Sequence, residues 1–205
     1  GEERTLRFAY GYAPFGEPFE PARQAAATAG DLQGAWAEHL GPRLLRFAAP
    51  RVPVLQRELA WHGYELEVSV GRRDYFGGHV VPQGSAYLYL HGADGAARDL
   101  GLFALPLVYT DPALAEEELR LYMAIQRAAD GAFSYAFQGH GMLDDALGLH
   151  GAPSDPPLFF LWALTEYLGA TGDLALLDEK VPFYPAQAEP DATGYDHLKG
   201  AVRHL

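Results

Sequence analysis

The chain reads as a mainly α-helical protein, and three observations predict this. Residues 154–183, SDPPLFFLWALTEYLGATGDLALLDEKVPF, carry the pattern of a complete helical hairpin. Asp111-Pro112 opens a second well-signalled helix, ALAEEELRLYMAIQR. The connections between helical segments are long and rich in Gly and Pro, and few period-two runs are present to supply a sheet.

The hairpin is the clearest element. Ser154 or Asp155 is placed to cap the first free amides, and Pro156 and Pro157 suit a first turn, where a missing donor costs little. Leu158 to Leu168 is apolar almost all round, interrupted by Thr165 and Glu166, which predicts a helix packed on two sides. Gly169 is expected to take the left-handed conformation that ends it. Thr171 or Asp173 then caps a short second helix running through Asp178 and Glu179, and Pro182 stops its continuation. A buried helix entered from a polar turn suits the inner ring of a double-layered helical barrel.

From the N-terminus, Leu6, Phe8 and Tyr10 alternate with Arg7 and Ala9 and predict one strand within 1–14. Residues 15–29 form a Pro-rich, then Ala-rich connection. Asp31 is a candidate N-cap, with Leu32, Trp36 and Leu40 at helical spacing before Gly41-Pro42 interrupts. Leu44, Leu45 and Phe47 resume the pattern. A longer helix follows at about 54–70, where Leu55, Leu59, His62 and Leu66 share a face; Trp61 and His62 read as core. Residues 73–99 form the least regular stretch, with a short strand or helical turn at Tyr87–Leu90. Long connections of this kind in compact domains tend to be functional or disordered, and the aromatic content argues against disorder.

A helix is predicted at 96–109, with Leu100, Phe103, Ala104 and Leu107 inward and Pro106 kinking it or ending it early. In the helix at 112–128, Glu116, Glu117 and Glu118 complement the positive N-terminal end, and Leu119, Tyr122, Met123 and Gln126 share a face. Residues 131–151 are irregular, 184–193 form a loop, and a last helix begins at Tyr195.

The segment 154–183 resembles the core hairpin of the six-hairpin, (α/α)6-barrel carbohydrate-active enzymes. Among them it is closest to glycoside hydrolase family 94, the disaccharide phosphorylases. That family has a Ser-Asp-Asp-x-x-Leu-Trp-Leu helix start, a Tyr-to-Thr-Gly-Asp turn and a Leu-Asp-Glu-x-Val-Pro-Phe exit in the same order. The resemblance implies three parts. Residues 1–14 would be the terminal strand of an N-terminal β-sandwich, 15–53 a linker with a helix, and 54–205 about half of an (α/α)6 barrel. It also implies that loops entering the inner helices gather at one mouth.

A second segment, QGSAYLYLHGADGAARDLGLFALPLVYTDP, resembles the phosphorylase stretch in which an Arg-Asp pair opens an inner helix and binds a sugar. Carried over, Arg98 and Asp99 would hydrogen-bond sugar hydroxyls, behind a Gly-rich loop with His91 and Asp94. A fork of donors beside an acceptor suits a polyol. The same two residues would equally serve as an ion pair tying loop to helix. Where the family has Gln-Asp, this chain has Leu102-Phe103 or their neighbours. His150 and Asp155 flank the next inner helix and complete the candidate binding set, although a loop histidine and a cap is the more common reading of such a pair. The two pairs are expected at the same end of the helical layer.

The general acid of the phosphorylases sits in a Gly-Asp-Trp-Asn-Asp-like motif that would follow Leu205, so no catalytic residue is assigned. The parent activity expected is cleavage or phosphorolysis of a glycosidic bond. This chain alone is expected to be inactive, supplying part of the sugar subsite for a disaccharide or oligosaccharide. An inverting hydrolase or lyase on the same barrel is one alternative, and a non-catalytic glycan-binding or scaffold domain another. No cofactor is called for, and inorganic phosphate enters only as a co-substrate.

Composition bounds these classes. With 15 basic and 27 acidic side chains the net charge is −12, which opposes nucleic-acid binding. Aromatic residues make up 13% of the chain, and most read as core. No cysteine is present, so no disulfide or thiolate chemistry is open. The spacing of His140, Asp144, Asp145 and His150 fits no standard zinc or calcium pattern. No apolar run reaches membrane-spanning length and no signal pattern opens the chain, so the expectation is a cytoplasmic protein without a membrane role. The open side of a half barrel would invite self-association into a homo-oligomer.

Overall fold

The computed structural model describes residues 18–20, 23, 24, 27, 30, 32–44, 48–84, 93–141, 143, 144, 153–186 and 189–205. The strand expected within 1–14, the cap expected at Asp31, the turn at Tyr87–Leu90, and His91, Asp145 and His150 lie outside these residues. The chain divides into two compact units, Gly1–Pro42 and Arg43–Leu205. The first contains α1 (Leu32–Leu40), which stops at Gly41-Pro42 as the sequence predicts.

The second unit is mainly helical. Among the described residues its helices are α2 (Pro53–Ser69), α3 (Ala97–Thr110), α4 (Pro112–Ala124), α5 (Pro156–Thr171) and α6 (Gly194–His204), with a 3₁₀ turn at Leu174–Leu177. Among the described residues there are also two small antiparallel sheets. One is the hairpin β1 (Gly71–Arg73) and β2 (Gly78–Val80); the other is β3 (Gly95–Ala96), β4 (Ala136–Phe137) and β5 (Leu143–Asp144). Among the described residues no helix is long and apolar enough to cross a membrane.

Helices α3, α4 and α5 form the core. The Asp111 side chain caps α4 by accepting from the Leu114 amide at 3.2 Å, and Pro112 occupies the first turn. Leu119, Tyr122, Met123 and Gln126 are all fully buried, so the face read from the sequence is the core face. Tyr122, Phe133 and Phe160 meet with ring centroids 4.9 to 5.3 Å apart. Helix α4 ends at Ala124, short of 128, because Gln126 and Arg127 pair their backbones with Phe133, Ala132 and Tyr184 instead.

Three contacts fix α3 and α5 as a parallel pair. Arg98 meets Asp155 at their N-terminal ends, Gly101 lies against Phe159, and the Tyr109 hydroxyl donates to Glu166 near their C-terminal ends. A Cβ at Gly101 would stand 2.9 Å from the Phe159 carbonyl oxygen, so the close crossing requires glycine. Pro106 does not end α3, which continues to Thr110. The carbonyl that Pro106 leaves without its helical donor belongs to Leu102, on the exposed side, while Leu107 and Val108 are packed in the core.

Other expectations are corrected. Helix α5 buries Phe160, Ala163, Leu164 and Tyr167, but Leu158 and Trp162 are each 54% exposed, so it is not covered on both sides. An almost uniformly apolar helix carries no sequence signal for which side meets the core. Asp155 occupies the N-cap position of α5 without a capping hydrogen bond. The left-handed residue is Gly172 (φ 70°), not Gly169, because Thr171 and its bond to the Tyr167 carbonyl extend the helix. Asp173 then caps the 3₁₀ turn through Ala175, as expected. In α2, Leu59 and Leu66 are half-buried, while Leu55, Trp61 and His62 are exposed, so Trp61 and His62 are not core. The hairpin β1–β2 spans the start of the stretch read as least regular, with β1 ending and β2 lying inside it. Thr193 and Asp196 form a reciprocal capping box that starts α6.

Candidate functional site

Two short strands deliver the chain to the N-terminal end of α3. Gly95 pairs with Phe137 and Ala96 with Ala136, and the Ala97 amide donates to the Tyr135 carbonyl at 2.9 Å. Gly95 is required because a Cβ there would stand 2.8 Å from the Phe137 ring. Arg98 and Asp99 follow at once in the first turn of α3. On the neighbouring helix, Pro156 and Pro157 lack amide hydrogens, so little is left at this end of α5 for a side chain to cap. The Asp155 carboxylate is therefore available for another partner.

That partner is Arg98. Its Nη2 lies 2.6 Å from Asp155 Oδ2, with the side chains 51% and 31% exposed. An ion pair this open adds little to stability. It does hold a guanidinium, with donors to spare, at the end where α3 and α5 both begin. Asp99 is more deeply placed. Burial pushes its carboxyl up to about 6, against the pull of Arg98 and of its own backbone hydrogen bond. It therefore changes charge near pH 6.

Tyr122 underlies the pair. It is buried, donates to the Pro156 carbonyl at 2.8 Å, and its hydroxyl is held protonated well above the usual range by burial and then by the nearby Asp155 and Asp99 carboxylates. The sequence places Tyr122 on the core face of α4, but nothing in the spacing links it to residues on two other helices. The site thus combines donors from Arg98, acceptors from Asp155 and Asp99, and one carboxyl that ionises near pH 6. That set can hydrogen-bond a polyhydroxylated ligand and position a proton.

Of the five sequence-predicted site residues, Arg98, Asp99 and Asp155 are brought to one end of the helical layer, while His91 and His150 lie outside the described residues. Asp94 instead clamps the adjoining loops, bonding Arg73 at 2.8 Å and the Gly139 amide. Tyr135 and Phe137 are core. Among the described residues no cluster of three metal-ligating side chains occurs. No protein-family model matches the chain, and no curated protein matches it.

Proposed function

We propose that the chain is part of a carbohydrate-active enzyme with an (α/α)6 architecture, and that Arg98, Asp99 and Asp155 form part of its sugar-binding subsite. The observation that carries this reading is the 2.6 Å contact between Arg98 and Asp155, which joins the starts of two parallel helices beside Asp99. The resemblance assigns the Arg-Asp pair to a sugar subsite, and polyol binding needs this mixture of fixed donors and acceptors. Disaccharides and oligosaccharides are the proposed ligands. Glycosidic cleavage or phosphorolysis is the proposed parent reaction, with inorganic phosphate as co-substrate in the second case. His91 and His150 are proposed contributors on the strength of the resemblance.

The test is calorimetric titration of the chain with a panel of disaccharides at pH 5 and pH 7.5. Arg98→Ala and Asp99→Asn should each weaken binding by about tenfold, the scale of one charged hydrogen bond. Affinity should be higher at pH 7.5, because Asp99 accepts from hydroxyls as a carboxylate and its carboxyl ionises at about 6. Disaccharide binding that ignores both substitutions would remove the subsite. Release of sugar 1-phosphate only when phosphate is added would distinguish phosphorolysis from hydrolysis.

A further inference from the structure

A cleft of about 530 Å³ opens between the β1–β2 hairpin, the outward side of α4 and residues 179–186. It shares no lining residue with Arg98, Asp99, Asp155 or Tyr122. Its volume falls within the range of about 300–1,000 Å³ typical of small-molecule sites. Two charge pairs stand in its wall. His79 Nδ1 lies 3.0 Å from Glu117 Oε2, which also accepts from the His79 amide. Arg120 Nε donates to both Glu179 oxygens at 2.8 and 2.9 Å, and its Nη2 bonds Glu116.

These bonds hold the four side chains in place while leaving each partly open to the cleft. They also leave capacity to spare. Among the described residues Arg120 Nη1, His79 Nε2 and Glu117 Oε1 have no partner. The wall therefore offers a fixed donor, a fixed acceptor and an imidazole nitrogen able to do either. The lining cations Arg73, Arg120 and Lys180 are already matched by Asp94, by Glu179 with Glu116, and by Asp191, and Glu117 is engaged by His79, which disfavours an anion or a cation as the occupant. Tyr75 and Tyr184, 64% and 37% exposed, add aromatic surface, and Leu121 and Val181 add an apolar lining.

We infer that this cleft is a second binding site, for a neutral saccharide. A sugar ring pairs an apolar face, which stacks on tyrosine, with a rim of hydroxyls that both donate and accept; the cleft presents the complement of both. Pre-fixed side chains lower the ordering cost of binding. The assignment rests on the cleft alone and stands or falls independently of the role proposed for Arg98.

The test is titration of ¹⁵N-labelled protein with maltose, cellobiose, inorganic phosphate and adenosine, followed by amide shifts. A disaccharide should shift amides of 75–79 and 179–184 saturably. Tyr75→Ala, at an exposed side chain, and Glu117→Gln, which keeps an acceptor for the His79 amide, should each weaken that response at least about threefold. Arg98→Ala should leave it unchanged. Loss of the response in Arg98→Ala would overturn the inference by showing that the shifts report the other site. Shifts from phosphate or adenosine without any from the sugars, sugar shifts unmoved by both cleft variants, or no shift at these amides would also overturn it.

Discussion

Glu118 is fully buried in α4. Its Oε1 accepts from the Val81 amide at 2.5 Å, anchoring the end of the β1–β2 hairpin, and its Oε2 has no partner among the described residues. Burial pushes this carboxyl well above its ordinary value of 4.5; the Val81 amide pulls it down and Glu117 raises it again. The fold thus favours the protonated acid. Its contribution to stability is fully present below 4.5 and is lost as pH rises toward the folded value, since there the folded state holds a proton that the unfolded state has released. Glu118→Gln keeps an acceptor for Val81 and removes the charge. Urea unfolding should find Glu118→Gln at least as stable as the parent at pH 7, with less loss of stability between pH 4.5 and 7. Parallel pH profiles for the two proteins would refute this. Glu118→Leu strands the buried Val81 amide and should cost about 1–3 kcal/mol.

At the scale of elements, two glycines in helices make opposite predictions. Alanine normally stabilises a helix interior by about 1 kcal/mol over glycine. Gly169 in α5 has nothing within 4 Å of where a Cβ would be, so Gly169→Ala should gain about 0.5–1 kcal/mol. A Cβ on Gly101 in α3 would stand 2.9 Å from the Phe159 carbonyl oxygen, so Gly101→Ala must push α3 off α5 and should lose about 1–3 kcal/mol. Thermal unfolding of the two variants checks the pair, and equal shifts would deny the close crossing. The helices also mark what the sequence reveals. The starts of α4 and α5 are legible in the sequence because Asp111-Pro112 and Pro156-Pro157 act through local sterics, and at Asp111 through a cap as well. The sequence puts the end of α5 three residues early because Gly169 and Gly172 look alike until the Thr171 and Asp173 bonds are seen. The β1–β2 hairpin was not legible, because its short strands are held by Glu117 and Glu118 from a helix far along the chain.

At the scale of the whole molecule, Arg98, Asp99 and Asp155 could be picked from the sequence because their segments resemble phosphorylase segments, and their common end because each lies where an irregular loop enters a helix. Their mutual contact, and the charge pairs of the second cleft, arise only from packing between distant segments. Packing also sets two opposed titrations. His197 in α6 is buried, with Nδ1 2.7 Å from Gln126 Oε1 and Nε2 2.7 Å from the Val181 carbonyl. Burial holds its pKa down from 6.5 to about 4, although the Val181 carbonyl and Asp196 favour the charged form. Between pH 4 and 6.5 the unfolded chain therefore binds the extra proton, and this residue's contribution to stability rises with pH. Asp99 is shifted the other way, from 3.8 up to about 6, so over nearly the same window the folded state holds the extra proton and its contribution falls as pH rises. In the parent protein the two slopes offset each other. Asp99→Asn removes the falling one and leaves that of His197. The stability difference, Asp99→Asn minus parent, should therefore grow from pH 4 to pH 6 and level off above it, and comparing the two proteins cancels the contribution of Glu118. Denaturant midpoints across pH 4–7.5 measure this directly. A difference that stays constant with pH would mean that Asp99 titrates as an ordinary solvated carboxylate, and its burial beside Arg98 would have to be abandoned.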